Sequence, residues 1–234
     1  MFAEEFLNSY FFKKLDDIWN ISIGKNLSIY NNLSETKYLQ NLELFKSLCH
    51  KKISKISKDK FLEPKLSIVG PTLEASKYFL EEENREMFAN FIASSMNSDY
   101  RDIIHNSFIE IIKQLSSEDI KIFKEFNDYN NTLVNFILEN ENGNSYCFLE
   151  NIYLSNSFVD YDISNLEKQG LIKISSISYI PDDIFCKKYY KSQLFNNINS
   201  NPLPPIDGLP TKLNLIKHKF QVTNLGKNFK NVCF

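Results

Sequence analysis

Glycine and proline are scarce in this chain, with 6 and 7 among 234 residues. So few turn formers argue against an all-β or a disordered protein. The four cysteines, Cys49, Cys147, Cys186 and Cys233, form no CxxC pair, which removes the usual short zinc and redox motifs. They are expected to be free, partly buried thiols in a reducing cytoplasm. No apolar run approaches the roughly 18 residues of a membrane-spanning helix. The opening MFAEEFLNSYFFKKLDD carries acids early and lacks the basic start and apolar stretch of a secretory signal. A soluble cytoplasmic protein without a membrane partner is the expectation. The net charge of -2 gives no global field for nucleic acid. His50, His105 and His218 are too scattered for a histidine-rich metal site. There is no GxSxG, Walker loop, HExxH or dinucleotide fingerprint, so no cofactor is implied.

What is present is core material: 43% of residues are hydrophobic, with 20 Phe and 12 Tyr. That is ample for one large domain or two small ones. Near-helical spacing of Phe2, Phe6, Tyr10 and Leu15 predicts an amphipathic helix over 2–19. Turn formers follow at 24–32. Ser34 suits the N-cap of a second helix running to about 56, with Leu39, Leu42, Phe45, Leu48 and Ile53 on its apolar face. Gly70-Pro71 reads as a break, with Pro71 at a first helical position.

Helices are then predicted over 71–80, 81–97, 103–115 and 117–127. The first is expected to bury Leu73 and Tyr78, with Phe79 and Leu80 as further candidates. The second opens on Glu81-Glu82-Glu83 and carries the stripe Met87, Phe88, Phe91, Ile92, Met96. Ser116 with Asp119 resembles a capping box with Asp in the Glu position. A further helix is expected at 132–140, ending at the turn Glu141-Asn142-Gly143-Asn144.

Beyond Gly143 the texture changes. A short helix over 160–169 stops at Gly170, Leu171 to Ile174 read as a strand, and Lys219 to Thr223 alternate as a second. Pro202, Pro204, Pro205 and Pro210 exclude long regular structure from the second half of a Pro-rich insertion at 181–216. A last helix runs to Phe234. Helix, strand, connection, strand, helix is the order of a winged helix. The expected fold is mainly α: a helical domain over 1–142 and a small winged-helix-like α+β unit over 143–234.

Several phrases carry a family likeness. They are Ile68 to Pro71, the acidic stretch with Arg85 and Glu86, Ala89 to Met96, His105 with Phe108, Lys113-Gln114-Leu115-Ser116, Leu166 to Ile172, and Thr223 to Phe229. The pattern resembles the abortive-infection alpha family, best over about 68–126 and again over 165–234. Asn106 stands where that pattern expects a proline. The resemblance implies bacterial phage defence and brings no catalytic residues with it.

Abortive-infection systems often use helical ribonucleases with an Arg-x4-6-His motif, in which His moves the proton and Arg holds the phosphorane charge. Arg101 and His105 are the nearest match, one residue short; the alternative is that His105 caps a helix start. Glu82 and Glu86 share a helical face and could ligate magnesium, against the alternative of an acidic helix start with Arg85 in local ion pairs. Lysines crowd 46–65, with Lys51, Lys55 and Lys58 on one face if the helix persists. The tail after Asp207 has no acid and carries Lys212, Lys217, Lys219, Lys227 and Lys230. Lys51, Lys55, Lys58, Lys219, Lys227 and Lys230 are therefore the candidate nucleic-acid-binding side chains, through backbone phosphates, against solvated faces. The helix DYDISNLEKQ is too acidic to read DNA, which makes the C-terminal unit an interaction module.

The resulting expectation is a phage-defence protein acting without catalysis, as an interaction or sensor protein with a protein partner or a second copy. The alternative is a nucleic-acid-acting effector, either a ribonuclease or a DNA-binding winged-helix protein.

Overall fold

The computed structural model describes residues 13, 16–20, 34–128, 131–155, 160–175 and 184–234. Two compact units emerge: 1–120 with 228–234, and 121–227. The helix expected over 2–19 and the turn at 24–32 lie largely outside the described residues, although 16–20 are helical.

The first unit is helical. Helix α1 (Ser34–Ile53) buries Leu42, Phe45, Cys49 and Ile53, a stripe at three- and four-residue steps. Trp19 lies 5.8 Å from Phe45, ring to ring. Helix α2 spans Leu66–Ser76, and a 3-10 turn at Lys58–Lys60 precedes it. Pro71 therefore sits inside a helix that begins at Leu66, where a break was expected. A proline removes one ladder hydrogen bond. Ile68, Val69, Thr72, Leu73 and Ala75, buried on both sides of it, hold the helix together. Because α2 stops at Ser76, Tyr78 and Leu80 fall outside it and are exposed, not buried.

Helix α3 (Glu82–Ser95) is the axis of this unit. Met87, Phe88, Phe91, Ile92 and the C-capping Met96 are all at most 1% exposed. Each fully buried side chain of this size contributes about 1.5–3 kcal/mol. Phe91 meets Phe108 of α4 (Ser107–Gln114). The Asn84 amide, itself buried, donates to the Leu115 carbonyl at 3.4 Å. Helix α5 (Ser117–Glu125) opens on the expected reciprocal box. The Asp119 N–H donates to Ser116 Oγ at 3.0 Å, and the Ser116 N–H donates to Asp119 Oδ2 at 2.9 Å.

The second unit carries strands β1 (Asn131–Asn140), β2 (Ser145–Leu154), β3 (Asp160–Asp162), β4 (Ile172–Ser175) and β5 (Thr211–Val222). They form one antiparallel sheet in the order β3-β2-β1-β5-β4. Helices α6 (Ser164–Lys168), α7 (Ile184–Tyr190) and α8 (Gln193–Asn199) lie between strands in the chain, and α9 (Asn224–Cys233) follows β5. Val134, Phe136, Leu138, Ile152, Leu154 and Leu213 pack on one face with Tyr189 and Phe195. The buried Tyr189 hydroxyl accepts from Leu154 N–H at 3.1 Å and donates to the Thr132 carbonyl at 3.4 Å. A polar tip buried among hydrocarbon needs such partners. The other face holds a ring cluster, with Phe126 4.7 Å from Phe220 and 5.0 Å from Tyr153.

This sheet corrects the expected fold. The molecule is α+β, not mainly α with a small winged-helix unit. Residues 132–140 are strand, not helix, because burial alternates along β1 and both edges of that strand are paired. β5 runs directly on from Pro210, where prolines had argued against long regular structure; the prolines end where the strand begins. The Gly170 stop and a strand after it occur as expected, but the helix expected over 160–169 is confined to Ser164–Lys168, with Asp160–Asp162 forming β3, and the strand expected from Lys219 is the end of the longer β5. Gly170 has φ +73°, a left-handed conformation that suits glycine just after a helix.

Candidate functional site

Unit one carries an open cleft of about 250 Å³ lined by Lys52, Lys55, Ile56, Asn90, Ala93, Ser94, Asn97 and Tyr100. Its walls are the end of α1 and the turn after it, the second half of α3, and the 3-10 turn Ser98–Tyr100. Helix α1 ends at Ile53, so Lys55 leaves the helix on a turn, its N–H donating to the Lys52 carbonyl at 3.2 Å. Lys52 Nζ pairs with Glu86 Oε2 at 2.6 Å. Among the described residues no ion pair holds Lys55, which is exposed.

The amide and hydroxyl groups in the cleft serve two purposes. Asn90 Nδ2 donates to the Cys233 carbonyl at 2.9 Å, and Ser94 Oγ donates to the Val232 carbonyl at 2.9 Å. These bonds satisfy carbonyls in the last turn of α9, which have no partner within their own helix. Asn97 accepts the Asp99 N–H on Oδ1 at 3.0 Å and caps the 3-10 turn, which leaves its amide N–H groups for the cleft. Lys60 Nζ meets Asp99 Oδ2 at 2.7 Å, and this hydrogen bond raises the Lys60 ammonium above its ordinary pKa.

The Arg101–His105 pair takes a structural arrangement. His105 Nδ1 accepts the Ser107 N–H at 3.1 Å and lies 2.7 Å from Ser107 Oγ, tying down the first turn of α4. With Nδ1 as the acceptor, Nε2 carries the ring proton. Arg101 is exposed and closes the 3-10 turn through its own N–H to the Ser98 carbonyl. Glu86 is committed to Lys52, while Glu82 is exposed in the first turn of α3. Arg85 does not pair with the neighbouring glutamates; its guanidinium donates to Asn41 Oδ1 and to the Leu80 carbonyl. Among the described residues no group of three metal-ligating side chains occurs.

The six candidate lysines divide between the units. Lys51, Lys55 and Lys58 belong to the first and are exposed, but only Lys51 lies within α1, so no shared helical face exists. Lys219 is exposed on β5 and Lys227 half-buried in α9, both in the second unit, while Lys230 belongs to the first. Only Lys55 of the six lines the cleft. Asn90, Asn97 and Tyr100 went unnoticed in sequence, since no spacing signals that α3 and its 3-10 extension meet α1. Cys49 and Cys233 are buried free thiols, and burial pushes both well above their ordinary pKa.

Among the described residues no helix is long and apolar enough to cross a membrane. No curated protein and no solved structure shows significant similarity to this chain. A family described as abortive infection alpha matches residues 37–233, from within α1 to the last residue of α9. With most of the chain inside that match, the protein belongs to the abortive infection alpha family.

Proposed function

We propose that this abortive-infection protein serves phage defence by binding, as an interaction or sensor protein, and not by turning over a substrate. Its partner in this reading is another protein or a second copy of itself. The observation that carries the reading is the position of His105. The one histidine with a ribonuclease-like arginine nearby spends Nδ1 on the Ser107 N–H and so holds a helix start. Glu86, the better placed of the two candidate metal ligands, is neutralised by Lys52 at 2.6 Å, which is support of the same kind.

The rival is a ribonuclease centred on His105. His105→Ala separates the two readings when phage protection in cells and thermal melting are both measured. Binding through a folded scaffold predicts retained protection and a stability loss of roughly 0.5–1 kcal/mol, the scale of a lost helix cap. Abolished protection and RNA cleavage at an unchanged melting temperature would sink the proposal.

A further inference from the structure

We infer that the cleft at Lys55 is a binding site for a mononucleotide: a phosphate monoester carried on a ribose and a planar base. This deepens the sensor reading above and rests on it, by naming what the first unit senses. Three features of the cleft carry the inference.

The first is charge. Lys52 is offset by Glu86, so Lys55, with no ion partner among the described residues, supplies the net positive charge. An ammonium is a compact donor well matched to a phosphate oxygen. The second is the set of neighbouring donors. The Asn97 amide is left over after its oxygen caps the 3-10 turn. The remaining Lys52 protons add donors in the same cleft. Phosphate oxygens accept several such bonds at once, and charge-assisted ones are the strongest. The third is size and surface. At about 250 Å³ the cleft is smaller than the roughly 300 Å³ at which drug-sized sites begin, which limits the occupant to about one nucleotide. Tyr100 and Ile56 give a base an aromatic and an apolar wall, and stacking on such a ring tolerates any base.

The scaffold suits a fixed site. Asn90 and Ser94 anchor the last turn of α9 beneath the cleft, and Ala93 keeps the α3 wall shallow. Lys55 and Tyr100 are not core residues, so truncating them leaves the buried stripe of α3 intact.

The test is a 31P NMR titration of adenosine monophosphate with the full chain, with inorganic phosphate and a short oligoribonucleotide as parallel 31P probes and adenosine, which has no phosphorus, followed by 1H line broadening. Saturable binding of the monophosphate is expected. Lys55→Ala should weaken it about tenfold, the effect of removing one charge-assisted bond. Tyr100→Ala should weaken both the monophosphate and adenosine, and Lys58→Ala, outside the cleft, should stay within about twofold. Unchanged circular dichroism melts will show that each variant is folded. The assignment is overturned by absent binding up to about 10 mM, by inorganic phosphate binding as tightly, by Lys55→Ala binding as wild type, or by binding of the oligoribonucleotide alone. The same spectra keep the two readings apart. A Lys55-dependent free-phosphate signal growing with time would defeat the non-catalytic reading while upholding the site. Silence would remove the site and leave the protein-partner reading to the His105 experiment.

Discussion

Replacing Gly226 with alanine should invert the usual effect of that substitution. Gly226 lies three residues into the α9 motif that begins with the cap Thr223, and its N–H donates to Thr223 Oγ1 at 2.9 Å. In an open helix, glycine to alanine stabilises by about 0.5–1 kcal/mol, because alanine loses less backbone entropy on folding. Here a Cβ would stand 2.1 Å from the Leu171 carbonyl oxygen, 2.8 Å from Val222 Cγ1 and 3.0 Å from the Leu171 carbonyl carbon. The nearest obstacle is backbone, so no rotamer change relieves it. The start of α9 must move away from Leu171 by about an ångström or more, on ordinary contact distances. That movement strains the bonds from the Thr223 N–H to the Leu171 carbonyl (3.0 Å) and from Thr223 Oγ1 to the Gly170 carbonyl (2.6 Å). Overpacking of this kind costs about 1–3 kcal/mol, and each weakened hydrogen bond adds about 0.5–1.5 kcal/mol. After the helix-propensity gain is subtracted, a net loss of roughly 2–4 kcal/mol remains. Urea unfolding followed by far-UV circular dichroism measures it. With a slope of about 1–3 kcal/mol per molar urea, the midpoint should fall by at least about 0.7 M. A midpoint equal to or above that of the wild type would refute the reasoning.

Two other outcomes follow from the same geometry. Asp119→Ala removes the carboxylate that accepts both the Ser116 N–H and the Ser116 hydroxyl, and should cost about 1 kcal/mol in the same urea experiment. Stability should also fall in alkali, since Cys49 and Cys233 hold their protons in the folded state well above the ordinary thiol range. The unfolded chain releases them near pH 8.5, so this stabilisation is complete below that pH and declines above it by about 1.4 kcal/mol per pH unit for each thiol. Unfolding measured from pH 8 to 10.5 should show a shallower alkaline slope in the Cys49→Ala, Cys233→Ala variant, and an unaltered slope would disprove the assignment.

The helical half of the molecule is readable from spacing because each helix buries one stripe. Met87, Phe88, Phe91, Ile92 and Met96 recur at helical steps and are all core. The Ser116–Asp119 box is local chemistry, and local chemistry survives without knowledge of the fold. The sheet is harder to read. NTLVNFILEN is a short apolar run whose leucines and phenylalanine suit helix or strand, and periodicity cannot decide between them at that length. The deciding signal was adjacent. Asn142-Gly143 between two such runs marks a hairpin, and Asn140 Oδ1 accepts the Asn142 and Asn144 N–H groups to close it. β2 carries Asn151 at φ +57° and two register irregularities against β1, which blur its alternation. The cleft was legible only in part. Lys55 stood out as a cation, whereas Tyr100 and Asn97 acquire meaning only once α3 and α1 are packed. The likeness over Thr223 to Phe229 has a structural explanation. Thr223 caps α9, Gly226 admits the Leu171 carbonyl, and Phe229 lies 5.3 Å from Phe108.

The strand order has a kinetic side. β1 is central in the sheet, yet its longest partnership is with β5, whose pairs run from Asn140 with Thr211 to Asn131 with Phe220. During synthesis the β1–β2 hairpin can form as soon as it is made, while β1 keeps an open edge until β5 emerges. At about 5–20 residues per second that interval lasts several seconds. A bare apolar edge is a template for pairing with another chain, and closing so long a loop slows the folding that would cover it. Newly made chains should therefore be most prone to aggregate, or most dependent on chaperones, in the window before β5 docks.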